Sequence, residues 1–183
     1  MDSICPLIYK FFPLEWGINT RTRELHVKLS QIISRKAILP NIKAANKKGV
    51  VQELVTFLKK SASGENFSVT EIVNAIMARE KVGSTGVGGG VAIPHAKHDS
   101  IKGIIGAFGR VEGGLDFDSV DGAPVELVFL MLASPDKNED YLKVLRGTMG
   151  AIKQPHFCNF LRKAKTAKDI EEIFKDTEDM VKV

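Results

Sequence analysis

The sequence predicts an α/β fold in which a mixed sheet is covered by helices on both faces. Three observations predict it. The run Val125–Ala133 is apolar except for Glu126, the pattern of a strand buried on both sides. Amphipathic helical stretches stand before and after it. Strands and helices alternate without a strict βαβ rhythm, which argues for a mixed rather than an all-parallel sheet. With 183 residues, 44% of them hydrophobic and 26% charged, one domain can build its own core.

The elements follow in order. Residues 1–26 hold Tyr9, Phe11, Phe12 and Trp16 but no sustained period, and read as an extension, either disordered or docked through Trp16. From Leu29 the chain becomes regular. Asn46 precedes an amphipathic helix with Val50, Leu54 and Leu58 on one ridge and Val51 and Val55 on the next. Gly64 ends the connection. Ser68-Val69-Thr70-Glu71 is a capping box, and Ile72, Val73, Ile76 and Met77 share a face of a helix expected to run to about Glu80. Residues 104–110 read as a strand, Asp121-Gly122 as a turn, and Val125–Ala133 as the buried strand. Leu142, Leu145, Met149 and Ile152 mark a further helix, followed by Pro155. The last helix starts at a second capping box, Thr166-Ala167-Lys168-Asp169, and buries Ile170, Ile173 and Phe174.

Composition narrows the function classes. The net charge of +4 is not gathered into a block or stripe, and aromatics do not interleave with Lys or Arg, so no nucleic-acid surface is expected. Only Cys5 and Cys158 occur, without a CxxC pair, which fits a reducing cytoplasm better than a disulfide framework or zinc site. Residues 6–18 are broken by Lys10 and Glu15 and make a poor signal peptide, and Val125–Ala133 is about half the length needed to span a bilayer. No membrane insertion is expected.

The most informative stretch is Gly83-Ser84-Thr85-Gly86-Val87-Gly88-Gly89-Gly90-Val91-Ala92-Ile93-Pro94-His95. Glycines let backbone N–H groups converge on an anion, and proline stiffens the approach to one histidine. An imidazole beside such donors suits the carriage of a phosphoryl group, being neutral and nucleophilic near pH 7. A plain flexible loop is the competing reading. A nucleotide P-loop is excluded because Val91-Ala92 stands where Lys-Ser/Thr is needed. The Rossmann fingerprint is excluded because a helix precedes these glycines and an extended segment follows. His95 and His98 form HxxH, but no further ligand except Asp99 completes a metal set. His98 reads as a solvated loop residue, and His156 as a polar residue flanking a helix start. No metal or cofactor is expected.

The segment from Arg79-Glu80-Lys81-Val82 through Ile93-Pro94-His95 resembles the active-site signature of enzyme IIA in the phosphoenolpyruvate-dependent phosphotransferase system, of the mannitol/fructose and nitrogen-regulatory class. The resemblance covers roughly residues 29–178 and includes Asp118-Ser119-Val120-Asp121-Gly122-Ala123-Pro124-Val125. It implies a three-layer α/β/α domain over residues 29–183, with residues 1–28 as an extension that is disordered or not native. It also implies that a histidine phosphocarrier protein donates its phosphoryl group to His95. The family's arginine falls on Arg79, and its phosphate pocket on Ser84, Thr85, Gly86 and Tyr141. At Tyr141 the chain departs from the family, which usually carries a second histidine there.

Two roles follow from the resemblance: a nitrogen-regulatory protein controlling a kinase or transporter, or a sugar-specific component passing phosphate to a cysteine of enzyme IIB. The absence of fused IIB or IIC segments favours regulation. Val27 sits where a shorter member would place its initiator. Residues 1–26 are therefore expected to be upstream read-through, which the intact mass of the natural protein tests.

Overall fold

The computed structural model describes residues 28–62, 66–154 and 156–180. The expectations for residues 1–27, for Gly64 and for Pro155 lie outside the described residues. The described chain opens with a short helix α1 (Leu29–Ile32), a 3-10 turn and the two-residue strand β1 (Ile38–Leu39). Helices α2 (Lys47–Ser61) and α3 (Val69–Val82) follow. Three short strands come next: β2 (Gly86–Gly88), β3 (Val91–Ala92) and β4 (His95–Lys97). The long strands β5 (Ile104–Leu115) and β6 (Val125–Ala133) precede α4 (Asn138–Ile152), α5 (Phe157–Lys163) and α6 (Ala167–Met180).

The caps form where the sequence places them. The Asn46 side chain accepts from Gly49 N at 2.8 Å, and Ser68 Oγ from Glu71 N at 3.4 Å. At α6 the box is reciprocal: Asp169 N donates to Thr166 Oγ1 and Thr166 N to the Asp169 carboxylate, both at 3.1 Å. Each cap satisfies donors that the first helical turn leaves without a partner.

The sheet runs β1-β5-β6-β3-β2, with β4 also paired to β6. β5 pairs antiparallel with β6 and β2 with β3, whereas β1 runs parallel to β5 and β3 and β4 parallel to β6, so the sheet is mixed as expected. Alternation along β6 explains its double burial. Val128, Leu130 and Leu132 enter a core shared with α2 and α3. Leu127, Phe129 and Met131 enter a second core with α1, α4, α5 and α6, where Phe108, Phe129 and Phe174 pack edge to face or tilted. The result is the three-layer α/β/α sandwich.

Three details differ from the expectation. β5 continues five residues past Arg110, through a register shift at the Glu112-Gly113-Gly114 stretch that conceals its end in the sequence. α3 runs on past Glu80 to Val82. The glycine stretch is not an open loop. Gly89 and Gly90, at φ +61° and +74°, form the two-residue turn of a β2–β3 hairpin, a geometry that only positive-φ residues allow. Gly86 lies so close to the 116–124 loop that a Cβ would stand 2.8 Å from Ser119 Cα.

Candidate phosphotransfer site

β3 and β4 are two halves of one strand laid along β6, interrupted at Ile93-Pro94. Proline has no N–H to give the ladder. Ile93 steps out of it altogether: its N–H donates to Thr85 O at 2.9 Å. Its carbonyl faces His95 Nδ1 at 2.6 Å. A carbonyl can only accept, so Nδ1 must carry the proton and Nε2 the free lone pair. The interruption thus sets the tautomer of the neutral His95 ring and leaves the lone pair on Nε2.

His95 and Lys97 flank the buried Ala96, so they project from the α4 side of the strand. The Tyr141 ring of α4 meets the His95 ring edge to face, with centroids 6.1 Å apart and planes at 61°. Lys97 Nζ lies 5.5 Å from the Tyr141 ring centre and donates to Asn138 Oδ1. Tyr141 is buried, and burial pushes its hydroxyl pKa up, with Arg79 pulling weakly the other way. The hydroxyl therefore remains a donor throughout the accessible pH range.

Burial is also the main influence on His95, lowering its pKa below 6.5. The Ile93 bond and Glu80 oppose that shift, and the Arg79 charge adds to it. Arg79 thus acts electrostatically on both His95 and Tyr141. One of its N–H groups, on Nη1, donates to Gly83 O at 2.9 Å across the end of α3. Glu80 pairs with Lys47 rather than with its neighbour Arg79.

The other sequence-derived pocket residues gather at the same place with their polar groups turned inward. Ser84 Oγ donates to Phe117 O at 2.8 Å and accepts from Gly86 N at 3.1 Å. The Thr85 hydroxyl and N–H both donate to the Glu80 carboxylate. The glycine turn is tied down too: Gly89 N donates to Asp121 Oδ2 at 2.8 Å, and Arg162 of α5 binds Gly89 O and Glu126. As placed, the hydroxyls and these amides build the loop.

His98 lies just past β4 in the loop, half-exposed, its N–H donating to Ala133 O and its Nδ1 accepting from Ser100 N at 3.2 Å. The HxxH pair starts in extended chain, not on the helical turn that would converge the two imidazoles. Three participants escaped the sequence reading. Lys97 is two residues beyond His95 in a strand, a spacing that places both on one face. The buried Glu80 is next to Arg79. Lys47, at the start of α2, gives no local signal.

A profile of the family described as "Phosphoenolpyruvate-dependent sugar phosphotransferase system, EIIA 2" matches residues 31–177. The chain belongs to this family. Its members are phosphotransferase components that work through a phosphohistidine intermediate. A nitrogen regulatory protein of Bradyrhizobium diazoefficiens is 35% identical over 145 residues, covering 79% of this chain and 93% of the relative. A fructose-specific EIIABC component of Bacillus subtilis is 37% identical over 119 residues, 65% of this chain and 18% of the relative. The crystal structure of nitrogen regulatory protein IIA-Ntr from Neisseria meningitidis superposes with a TM-score of 0.73 at 32% identity, covering 79% of this chain and 97% of that one. The EIIA domain thus shares the α/β fold of its solved relative. Among the described residues, no helix is long and apolar enough to cross a membrane.

Proposed function

We propose that this EIIA domain carries phosphate on Nε2 of His95. The observation that supports it most is the Nδ1–Ile93 carbonyl bond, which leaves Nε2 as the lone-pair atom. A phosphorylated histidine phosphocarrier protein is the donor. The Nε2 lone pair attacks phosphorus, the donor's P–N bond breaks, and the electron pair returns to the donor imidazole. Charge spread over the equatorial oxygens in flight calls for positioning and charge stabilisation rather than acid–base chemistry. Arg79 supplies a planar cationic fork for those oxygens. Tyr141 supplies an O–H in the place of the family's second histidine, and Gly86 at the base of the hairpin, with Ser84 and Thr85, shapes the pocket around them.

The regulatory role is the reading best supported: the nitrogen regulatory relative matches this chain over the larger share of its length, 79% against 65% for the fructose component, and the solved IIA-Ntr shares its fold at 32% identity. Acting in the cytoplasm, the protein would control a kinase or transporter through its phosphorylation state. The sugar-specific role, passing phosphate to a IIB cysteine, rests on the comparable identity to the fructose component.

Incubation with phosphoenolpyruvate, enzyme I and the carrier protein tests the acceptor. One acid-labile phosphoryl group is expected on the wild-type chain and none on folded His95→Ala. Label persisting on that variant would refute the assignment. Transfer onward to a purified fructose-type IIB domain separates the two roles, since a regulatory member is expected to transfer poorly.

A further inference from the structure

Ile93 and Thr85 link His95 to a carboxylate that the phosphotransfer reading does not use. Glu80 is 7% exposed, on the last turns of α3. Lys47 Nζ reaches Glu80 Oε2 at 3.3 Å and Asp118 Oδ2 at 2.7 Å, and lies 4.8 Å from the Phe117 ring centre. Thr85 N donates to both Glu80 oxygens at 3.2 Å, and the Thr85 hydroxyl donates to Oε1. The Thr85 carbonyl accepts from Ile93 N at 2.9 Å, and the Ile93 carbonyl accepts from His95 Nδ1 at 2.6 Å. The bonds form a continuous series, Lys47 to Glu80, Glu80 to Thr85, Thr85 to Ile93, Ile93 to His95.

We propose that Glu80 is a positioning residue for His95, acting mechanically through the Thr85 and Ile93 backbones to hold the imidazole in its Nδ1–H form. The proposal rests on the reading of His95 as acceptor. In enzymes that use histidine, a carboxylate commonly binds the ring N–H directly and fixes its tautomer. Here the interrupted strand places a backbone carbonyl at the ring, and the carboxylate sits two peptide units behind it. Anchoring Thr85 fixes where the Ile93 N–H must point, which in turn aims the Ile93 carbonyl.

The charges around Glu80 are consistent with this role. Lys47 faces it from α2, with Asp118 on the far side of that ammonium. Arg79 precedes it on α3, and His95 lies on β4, its ring on the α4 side. The Glu80 charge acts on His95 in the direction opposite to burial and Arg79, as the smallest of the influences on its pKa.

Nitrogen-15 NMR of the histidine side chains, without any phosphoryl donor, tests the proposal apart from the chemistry. Wild-type His95 is expected as a single tautomer protonated at Nδ1. In Glu80→Gln, the amide offers Thr85 one oxygen and no charge. A mixture of tautomers and a lower His95 pKa are then expected. Transfer is expected to slow by about tenfold, the lower range for partners that orient a histidine, with the KM for the phosphorylated donor unchanged. Thr85→Val keeps the shape, the Glu80 charge and the backbone N–H on Glu80 but loses the hydroxyl bond; it is expected to mix the tautomers in smaller proportion, and decides alone if Glu80→Gln does not fold. A single Nδ1–H tautomer in both folded variants would overturn the proposal, whatever the rates. Labelling of another residue would sink the acceptor reading and leave this NMR outcome untouched.

Discussion

Burial moves the two facing rings of the site in opposite directions, lowering the pKa of His95 and raising that of Tyr141. For His95 the native pKa lies below the 6.5 of the unfolded chain, so the neutral, nucleophilic form dominates at pH 7. Transfer should be flat above pH 6.5 and fall as the pH drops through the lowered value. The same shift has a stability consequence: below 6.5 the unfolded state binds a proton that the native site resists, so stability falls with pH in that window. Urea midpoints of wild type and His95→Gln between pH 7 and 5 check this, and the variant should lose less. Arg79→Lys keeps charge but loses the fork, and should slow transfer about 10- to 1000-fold in rapid-quench measurements, on the order of one charge-stabilising donor. Unchanged kinetics would make Arg79 only a brace for the Gly83 carbonyl. Tyr141→Phe should cost about 1–1.5 kcal/mol, roughly tenfold in rate, if its hydroxyl holds the phosphoryl group. Tyr141→His should speed transfer and add a dependence near pH 6–7 if proton exchange is what the site lacks. Equal rates with the same pH profile in all three proteins would reduce Tyr141 to packing against the His95 ring.

At the scale of elements, local chemistry is legible where a cap or a long apolar run sets it. Thr166→Ala removes half of the reciprocal box at α6 and should cost about 1 kcal/mol in urea unfolding while leaving transfer intact. Asn46, the Ser68 cap, the reciprocal box at α6 and β6 stand in the structure where the sequence placed them. The two-residue strands β1 and β3 carry no period of their own, since pairing with β5 and β6 alone makes them strands. The hairpin was hidden for a related reason: consecutive glycines read as a loop until Asp121 and Arg162 tie their turn down. In the site, the motif led to His95 and Arg79, but the tautomer depends on Ile93 leaving the ladder, a feature visible only in three dimensions. Lys47 lies far along the chain from Glu80 and joins it only because α2 packs on α3.

At the scale of the molecule, β6 is the axis on which the account turns. It separates the two cores, and along it the interrupted strand carries His95 to the boundary between α3 and α4, so that Arg79 and Tyr141 approach the ring from different layers. A rigid sandwich around a fixed imidazole suits a protein whose task is to accept a phosphoryl group from one partner and present it to another. The central claim is that this scaffold makes Nε2 of His95 the phosphorylated atom. Its most direct test is two-dimensional NMR of the nitrogen-15 histidine-labelled protein after phosphorylation by the carrier, read through nitrogen–phosphorus coupling. The account predicts coupling at Nε2 of His95, with the proton retained on Nδ1. Coupling at Nδ1, or at any other histidine, would contradict it.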